Sequence, residues 1–195
     1  MPPSTVSELH HRLRQATMQS HQALEQHPLL MSLLGSKVSF IQYGNALAAL
    51  QGIYAQSEAA IISYLQKCPG LFDYRSRRKL PALESDLSAL GRSPVPIKTA
   101  CPRLDSAGAL FGTLYTLEGS TLGGQFIASK LPPDFPLAFF TVYGAQTRQR
   151  WEEFLRLAEA RCPPSEYKLA AATACRLFAI FKDHLDDSQQ YLGQP

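Results

Sequence analysis

Apolar residues along this chain recur at helical spacing almost throughout, and no segment alternates apolar and polar positions as a half-buried strand would. The first amphipathic stretch starts near Thr5, where Thr5 and Glu8 stand at capping-box spacing, and stops before Pro28. At about 100° per residue, Leu9, Leu13, Ala16, Ser20, Ala23 and Leu24 share one side of it, which predicts a core stripe. A second helix is predicted from Ser39 to Gln66, stopping at Pro69-Gly70. A shorter one carries SRRKLPALESDLSALG, with Gly91 as its C-terminal stop. The proline-rich RSPVPIKTACPRL is the clearest linker. It leads into a glycine-rich helix from about Asp105 to Lys130, which PPDFP ends. Helices from about Gln146 to Arg161 and from Ser165 to Tyr191 finish the chain. The sum is an all-α domain of roughly six to eight helices joined by short loops. The 195 residues suit a single domain, 1–195.

Composition narrows the setting. A net charge of +3 gives no ground for nucleic acid as a partner. Cys68, Cys101, Cys162 and Cys175 lack CxxC spacing and read as thiols of a reducing compartment, not a disulfide frame or zinc site. MPPSTVSELHHRLRQ has no apolar signal-peptide core. The charge-poor run Ser106–Ser129 contains Glu118, Gln125 and five glycines, which argues against a membrane span. A cytoplasmic protein without membrane attachment is expected.

Two segments carry candidate chemistry. On the first helix, Arg14, Thr17, His21 and Glu25 form a line beside the core stripe, spaced by three and four residues. A histidine on such an edge can face a cavity while the arginine reaches its mouth, and Glu25, one turn on, can tune the ring. Taken alone, the helix more simply carries a partly buried histidine with solvated neighbours. The second segment is GALFGTLYTLEGSTLGGQFIASKL, where each interior glycine costs about 1 kcal/mol relative to alanine. Gly119 and Gly123 share a face and, with Gly124, bare the backbone. Thr116, Ser120 and Gln125 could support water beside them. A packing face against another helix explains the same glycines, and this segment by itself leaves both readings open.

Together the two segments resemble the haem oxygenase family. LRQATMQSHQALEQHPLL is similar to the family's proximal helix, matched at Leu13, Arg14, Ala16, Thr17, His21 and Glu25. LEGSTLGGQFIASKL is similar to its kinked distal helix, matched at Gly119, Gly123, Gly124 and Gln125. The likeness continues more weakly through FFTVYGAQTRQRWEEFL and CRLFAIFKDHL. It implies haem held between these two helices of a single-domain all-α fold, as both cofactor and substrate. His21 would be the iron ligand and Arg14 a propionate partner, with Arg150, or else Arg148, at the other propionate. Gly119, Ser120 and Gly123 would form the catalytic distal edge. Ser120 stands where animal-type members carry an aspartate, and serine cannot hold a negative charge. The implied reaction uses dioxygen and electrons from a ferredoxin or reductase, and yields biliverdin, carbon monoxide and ferrous iron. The EGSTLGG form is more similar to bacterial members, including those that supply bacterial phytochromes, so a phytochrome apoprotein is a candidate recipient. The alternative is a non-catalytic haem sensor or carrier on the same fold. A di-iron enzyme lacks support, because His21, His27 and His184 have no glutamate three residues earlier.

Overall fold

Ser39 begins the longest helix with a reciprocal capping box: its hydroxyl accepts from the Gln42 amide, and the Gln42 side chain returns to the Ser39 backbone. Such local signals place the elements of the computed structural model, which describes residues 7–193. The α-helices are α1 (Glu8–Glu25), α2 (Pro28–Met31), α3 (Phe40–Lys67), α4 (Leu80–Ala89), α5 (Ala107–Ala128), α6 (Thr147–Arg161) and α7 (Tyr167–Leu192). Short 3₁₀ turns join several of them, and no strand occurs among the described residues. No helix among them is long and apolar enough to cross a membrane. The expected cap at Thr5 lies outside the described residues; Ser7 caps α1 by accepting from His10 N. Gly91, with φ +60°, ends α4 in the left-handed conformation that suits glycine.

Helix α7 is the spine. Helices α1 and α5 each pack along it yet scarcely touch one another, while α4 and α7 pack on α3. The core between these layers is filled by side chains such as Leu13, Tyr43, Ile53, Phe111, Phe154 and Leu177. The α1 stripe is turned from the expected one. Leu9, Leu13 and Thr17 are buried, whereas Ala16 and Ala23 are exposed. Thr17 tolerates burial because its hydroxyl donates to the Leu13 carbonyl at 2.8 Å.

The proline-rich linker lies along α3 on residues four apart. Arg92 covers Gly44, the Val95 amide donates to the Ala48 carbonyl at 3.0 Å, Ile97 covers Gly52, and Cys101 N donates to Gln56. The N-terminal half of α5 is seated as tightly. A Cβ at Gly108 would meet the Glu166 carbonyl at 2.8 Å, and one at Gly112 would run into the Ala170 carbonyl. These two glycines allow α5 to cross the start of α7 at close range.

Candidate functional site

Helices α1 and α5 both pack along α7 while scarcely touching each other, and the space between them over α7 is the candidate cleft. His21 stands on the α1 side with its side chain 53% exposed. Its Nδ1 lies 3.4 Å from a Glu25 carboxylate oxygen, and its ring sits edge-on to Phe178 of α7 at 5.7 Å. The other ring nitrogen has no protein partner among the described residues. Met18, between Arg14 and His21 on the same helical line, is 55% exposed.

The opposite wall is the second half of α5. Nothing lies within 4 Å of a Cβ built at Gly123, and at Gly119 only the Trp151 ring does, at 3.5 Å. Leu122 and Phe126 continue this edge and are exposed. Gly124 belongs elsewhere: a Cβ there would press on Phe140 at 3.1 Å. Gln125 ties the end of α5 to the Gly144 carbonyl at 3.2 Å, and Thr116 bonds back toward Gly112. The glycines therefore divide. Gly108, Gly112 and Gly124 serve packing, while Gly119 and Gly123 border open space.

One end of the cleft is closed by aromatic rings. Tyr115 of α5 and Trp151 of α6 meet at 5.5 Å, and His10 of α1 meets Trp151 edge-on at 6.0 Å. Burial raises the Tyr115 phenol; the neighbouring Thr17 side chain and the Arg14 guanidinium partly offset this. Burial also lowers His10, and Arg14 adds to that effect. Arg14, exposed on α1, is thus close enough to act on both rings. Arg150 is engaged differently: its guanidinium reaches Ser76 Oγ at 3.0 Å and lies over the Tyr143 ring. Arg148, one turn before Trp151 on the Trp151 side of α6, is exposed and paired with Glu152 at 2.9 Å.

Ser120 borders the glycine edge and shares a 2.7 Å hydrogen bond with the Tyr54 hydroxyl; Ser120 also donates to the Leu117 carbonyl. Tyr54 is buried and leans on Phe181 at 5.9 Å, one turn of α7 beyond Phe178. The floor of α7 therefore carries one aromatic under the histidine and another under the hydroxyl pair. Tyr54, Tyr115 and Trp151 did not stand out in the sequence as site residues. A signal for Tyr54 existed: Tyr54 and Glu58 place two polar groups one turn apart on an otherwise apolar face.

A half-exposed histidine with a free nitrogen on α1 and a bare glycine edge on α5 stand on two helices that share α7, with exposed apolar side chains on both helices and an exposed cation, Arg14, on α1. Such a donor set suits a flat, largely apolar ligand with an acidic margin. A haem fits that donor set, since imidazole suits iron and a guanidinium suits a propionate. The chain matches the Heme oxygenase family over residues 7–187. It belongs to the haem oxygenase family and is an oxidoreductase of that family. It is 34% identical over 115 residues to a heme oxygenase of Xanthomonas campestris pv. campestris (strain 8004), covering 55% of this chain and 67% of that one. Among solved structures, it is similar to the NO- and CO-bound heme oxygenase from Neisseria meningitidis, with TM-score 0.76 and 21% identity over 94% of this chain and 92% of that one. It is also similar to heme oxygenase-1 of Synechocystis sp. PCC6803, solved in complex with heme, with TM-score 0.70 and 16% identity over 94% and 93% of the two chains. Both likenesses establish the fold.

Proposed function

We propose that this protein oxidises haem, with dioxygen and externally supplied electrons, to biliverdin, carbon monoxide and ferrous iron. The observation that carries the reading is the pairing of a half-exposed His21 on α1 with the open Gly119–Gly123 edge of α5 across a shared α7 floor. When bound, haem supplies the iron and the oxidisable macrocycle, and is consumed as substrate. The protein's part is orientation, hydration and exclusion.

His21 would ligate the iron through the nitrogen that Glu25 leaves free. Glu25, 3.4 Å from Nδ1, would favour the tautomer protonated there. Met18, Leu122, Phe126 and Phe178 would line the apolar faces of the ring. Arg14 would hold one propionate. Of the two α6 candidates for the other, Arg148 shares the Trp151 face that borders the cleft, whereas Arg150 is already engaged by Ser76 and Tyr143. The Tyr54–Ser120 pair offers hydroxyl donors and acceptors beside the glycine edge without a fixed negative charge. Resemblance to bacterial members supports a ferredoxin or reductase as donor, a cytoplasmic setting, and a phytochrome apoprotein as recipient of the biliverdin.

The test is hemin titration of the parent and of His21→Ala, followed by ascorbate. The parent is expected to show a one-to-one complex with a histidine-ligated Soret band and conversion to a biliverdin. His21→Ala should lose that band and regain it with free imidazole. An unchanged spectrum in the variant would move the ligand elsewhere.

A further inference from the structure

Behind the glycine edge lies a cluster of charges whose centre, Glu58, Arg77, Lys79 and Glu118, is sealed from solvent, with Arg78 and Glu153 at its partly exposed rim. Glu118, directly before Gly119 and fully buried, accepts from Arg77 Nη1 at 2.7 Å, Lys79 Nζ at 2.6 Å and the Tyr143 hydroxyl at 3.0 Å. Lys79 is buried too and donates to the Arg77 carbonyl at 2.7 Å. Glu58 of α3 gathers the same strap from its other side. Its carboxylate accepts from the Lys79 and Leu80 amides, from Arg78 Nε at 3.1 Å and from the Tyr74 hydroxyl at 3.3 Å. Glu153 adds a third carboxylate, 3.4 Å from Arg77. Three anions thus face three cations, and no charge in the cluster is left alone.

Sealing charges away from water is costly, and apolar residues of similar volume are often at least as stabilising. Stability alone therefore gives no account of the cluster. Its connectivity does. Tyr54 and Glu58 are one turn apart on α3. Tyr54 holds Ser120 directly, and Glu58 holds Glu118 through Lys79. On α5, residues 118 and 120 project about 200° apart. One helix turn is therefore gripped from opposite sides, with both grips referred to α3 and Gly119 between them. A single contact lets a helix roll about its axis; two opposed contacts do not.

We propose that the strap of Arg77 and Lys79, clamped between Glu58 and Glu118, is a positioning device for α5. It fixes the rotation of the turn that carries Gly119 and Ser120, so that the glycine edge faces His21 and the Ser120 hydroxyl stays on Tyr54. Glu118 and Lys79 are positioning residues, since neither borders the cleft. The inference rests on the proposed haem chemistry for its consequence, and on geometry alone for the clamp.

The test compares the parent with Glu118→Gln, which keeps the shape and removes the charge, and with Lys79→Met/Glu118→Met, which removes a balanced pair. Arg77 keeps Glu153 and the Arg150 carbonyl in both. Hydrogen exchange is followed in the ligand-free protein at amides 116–124. Hemin affinity, Soret position, the midpoint of the ferric complex's acid–alkaline colour change and turnover with ascorbate are measured on the loaded one. Exchange is expected to quicken by about tenfold or more at these amides, as local opening of the turn becomes easier. Hemin affinity should stay within about threefold of the parent with the Soret band unmoved, while turnover falls about tenfold and the colour-change midpoint shifts by about half a pH unit. Parent-like exchange, midpoint and turnover in a folded variant would overturn the clamp. So would failure of both variants to fold, which would make the cluster a plain core element. If the parent itself does not bind hemin through His21, the haem reading fails, and the exchange measurement still decides the clamp.

Discussion

Gly112 and Gly123 lie on the same helix, eleven residues apart, yet alanine should act on them in opposite directions. At Gly112 the new Cβ would run into the Ala170 carbonyl and lie 3.1 Å from Thr173 Cβ. Both obstacles are at or next to backbone, so α5 and α7 must move apart along their crossing. Overpacking of this kind costs about 1–3 kcal/mol, and the backbone obstacle puts the cost at the upper end. Helix propensity returns about 1 kcal/mol, leaving a net loss of about 2 kcal/mol. At Gly123 nothing lies within 4 Å, and the propensity gain acts alone. For a chain of this length, 1 kcal/mol moves Tm by about 2–4 °C. Gly112→Ala should therefore melt roughly 4–8 °C lower than the parent and Gly123→Ala about 2–4 °C higher. The assay is thermal unfolding of the ligand-free proteins by circular dichroism or calorimetry. A third variant, Gly123→Leu, should fold normally because its side chain enters open space, but bind hemin at least about tenfold more weakly, a loss of about 1.4 kcal/mol. Shifts of the same sign for the two alanines, or unfolding of Gly123→Leu, would refute the division of the glycines into packing and cleft positions.

Three further expectations follow from buried polar groups. Asp86 accepts from the Ala138 and Phe139 amides at 3.1 and 2.8 Å, so Asp86→Ala should cost about 2–3 kcal/mol in urea unfolding and speed exchange at those two amides. Ser120→Ala strips the buried Tyr54 hydroxyl of its partner and should cost about 1–3 kcal/mol, most of it recovered in Tyr54→Phe/Ser120→Ala; additive losses in the double variant would show that the pair does not interact. Burial lowers His184 from its ordinary value of 6.5, so below that pH the unfolded chain takes up a proton that the folded one refuses, and stability falls as pH drops. His184→Leu should flatten that decline between pH 7.5 and 5.5, and an unaltered pH slope in its urea midpoints would count against the assignment.

Element order was legible from periodicity, caps and glycine stops, because these are local. The Ser39–Gln42 box and the left-handed Gly91 are seen where the chain calls for them. The face of α1 was harder to read. Apolarity ranks Ala16 and Ala23 above Thr17, but a threonine that bonds back to the preceding turn presents only its methyl, and alanine loses little by exposure. The glycines of α5 were ambiguous for a stricter reason: a tight helix crossing and an open cleft both need bare backbone. Only the neighbours decide, and they come from α7, Phe140 and Trp151. The strap could not be read at all. Arg77 and Lys79 lie about forty residues from Glu118 in sequence and look like solvated charges, since their burial depends on how α3, α4 and α5 meet.

The exposed apolar residues of α1 and α5 reveal what the fold leaves unfinished. Met18 lies on the Arg14–His21 line, and Leu122 and Phe126 lie on the Gly119–Gly123 line; helices normally turn such lines inward. Here α7 separates the two lines and supplies Phe178 and Phe181 between them, so neither can bury itself on the other. Collapse of the cleft would bring these side chains together, but α5 is pinned at its start by Gly108 and Gly112 on α7 and at Glu118 by the strap. Rigidity on the far side of α5 thus keeps apolar surface exposed on the near side. That surface is a standing source of binding energy for a planar apolar ligand, worth about 25 cal/mol per Å² removed from water. A bound ligand would then complete the core instead of displacing part of it.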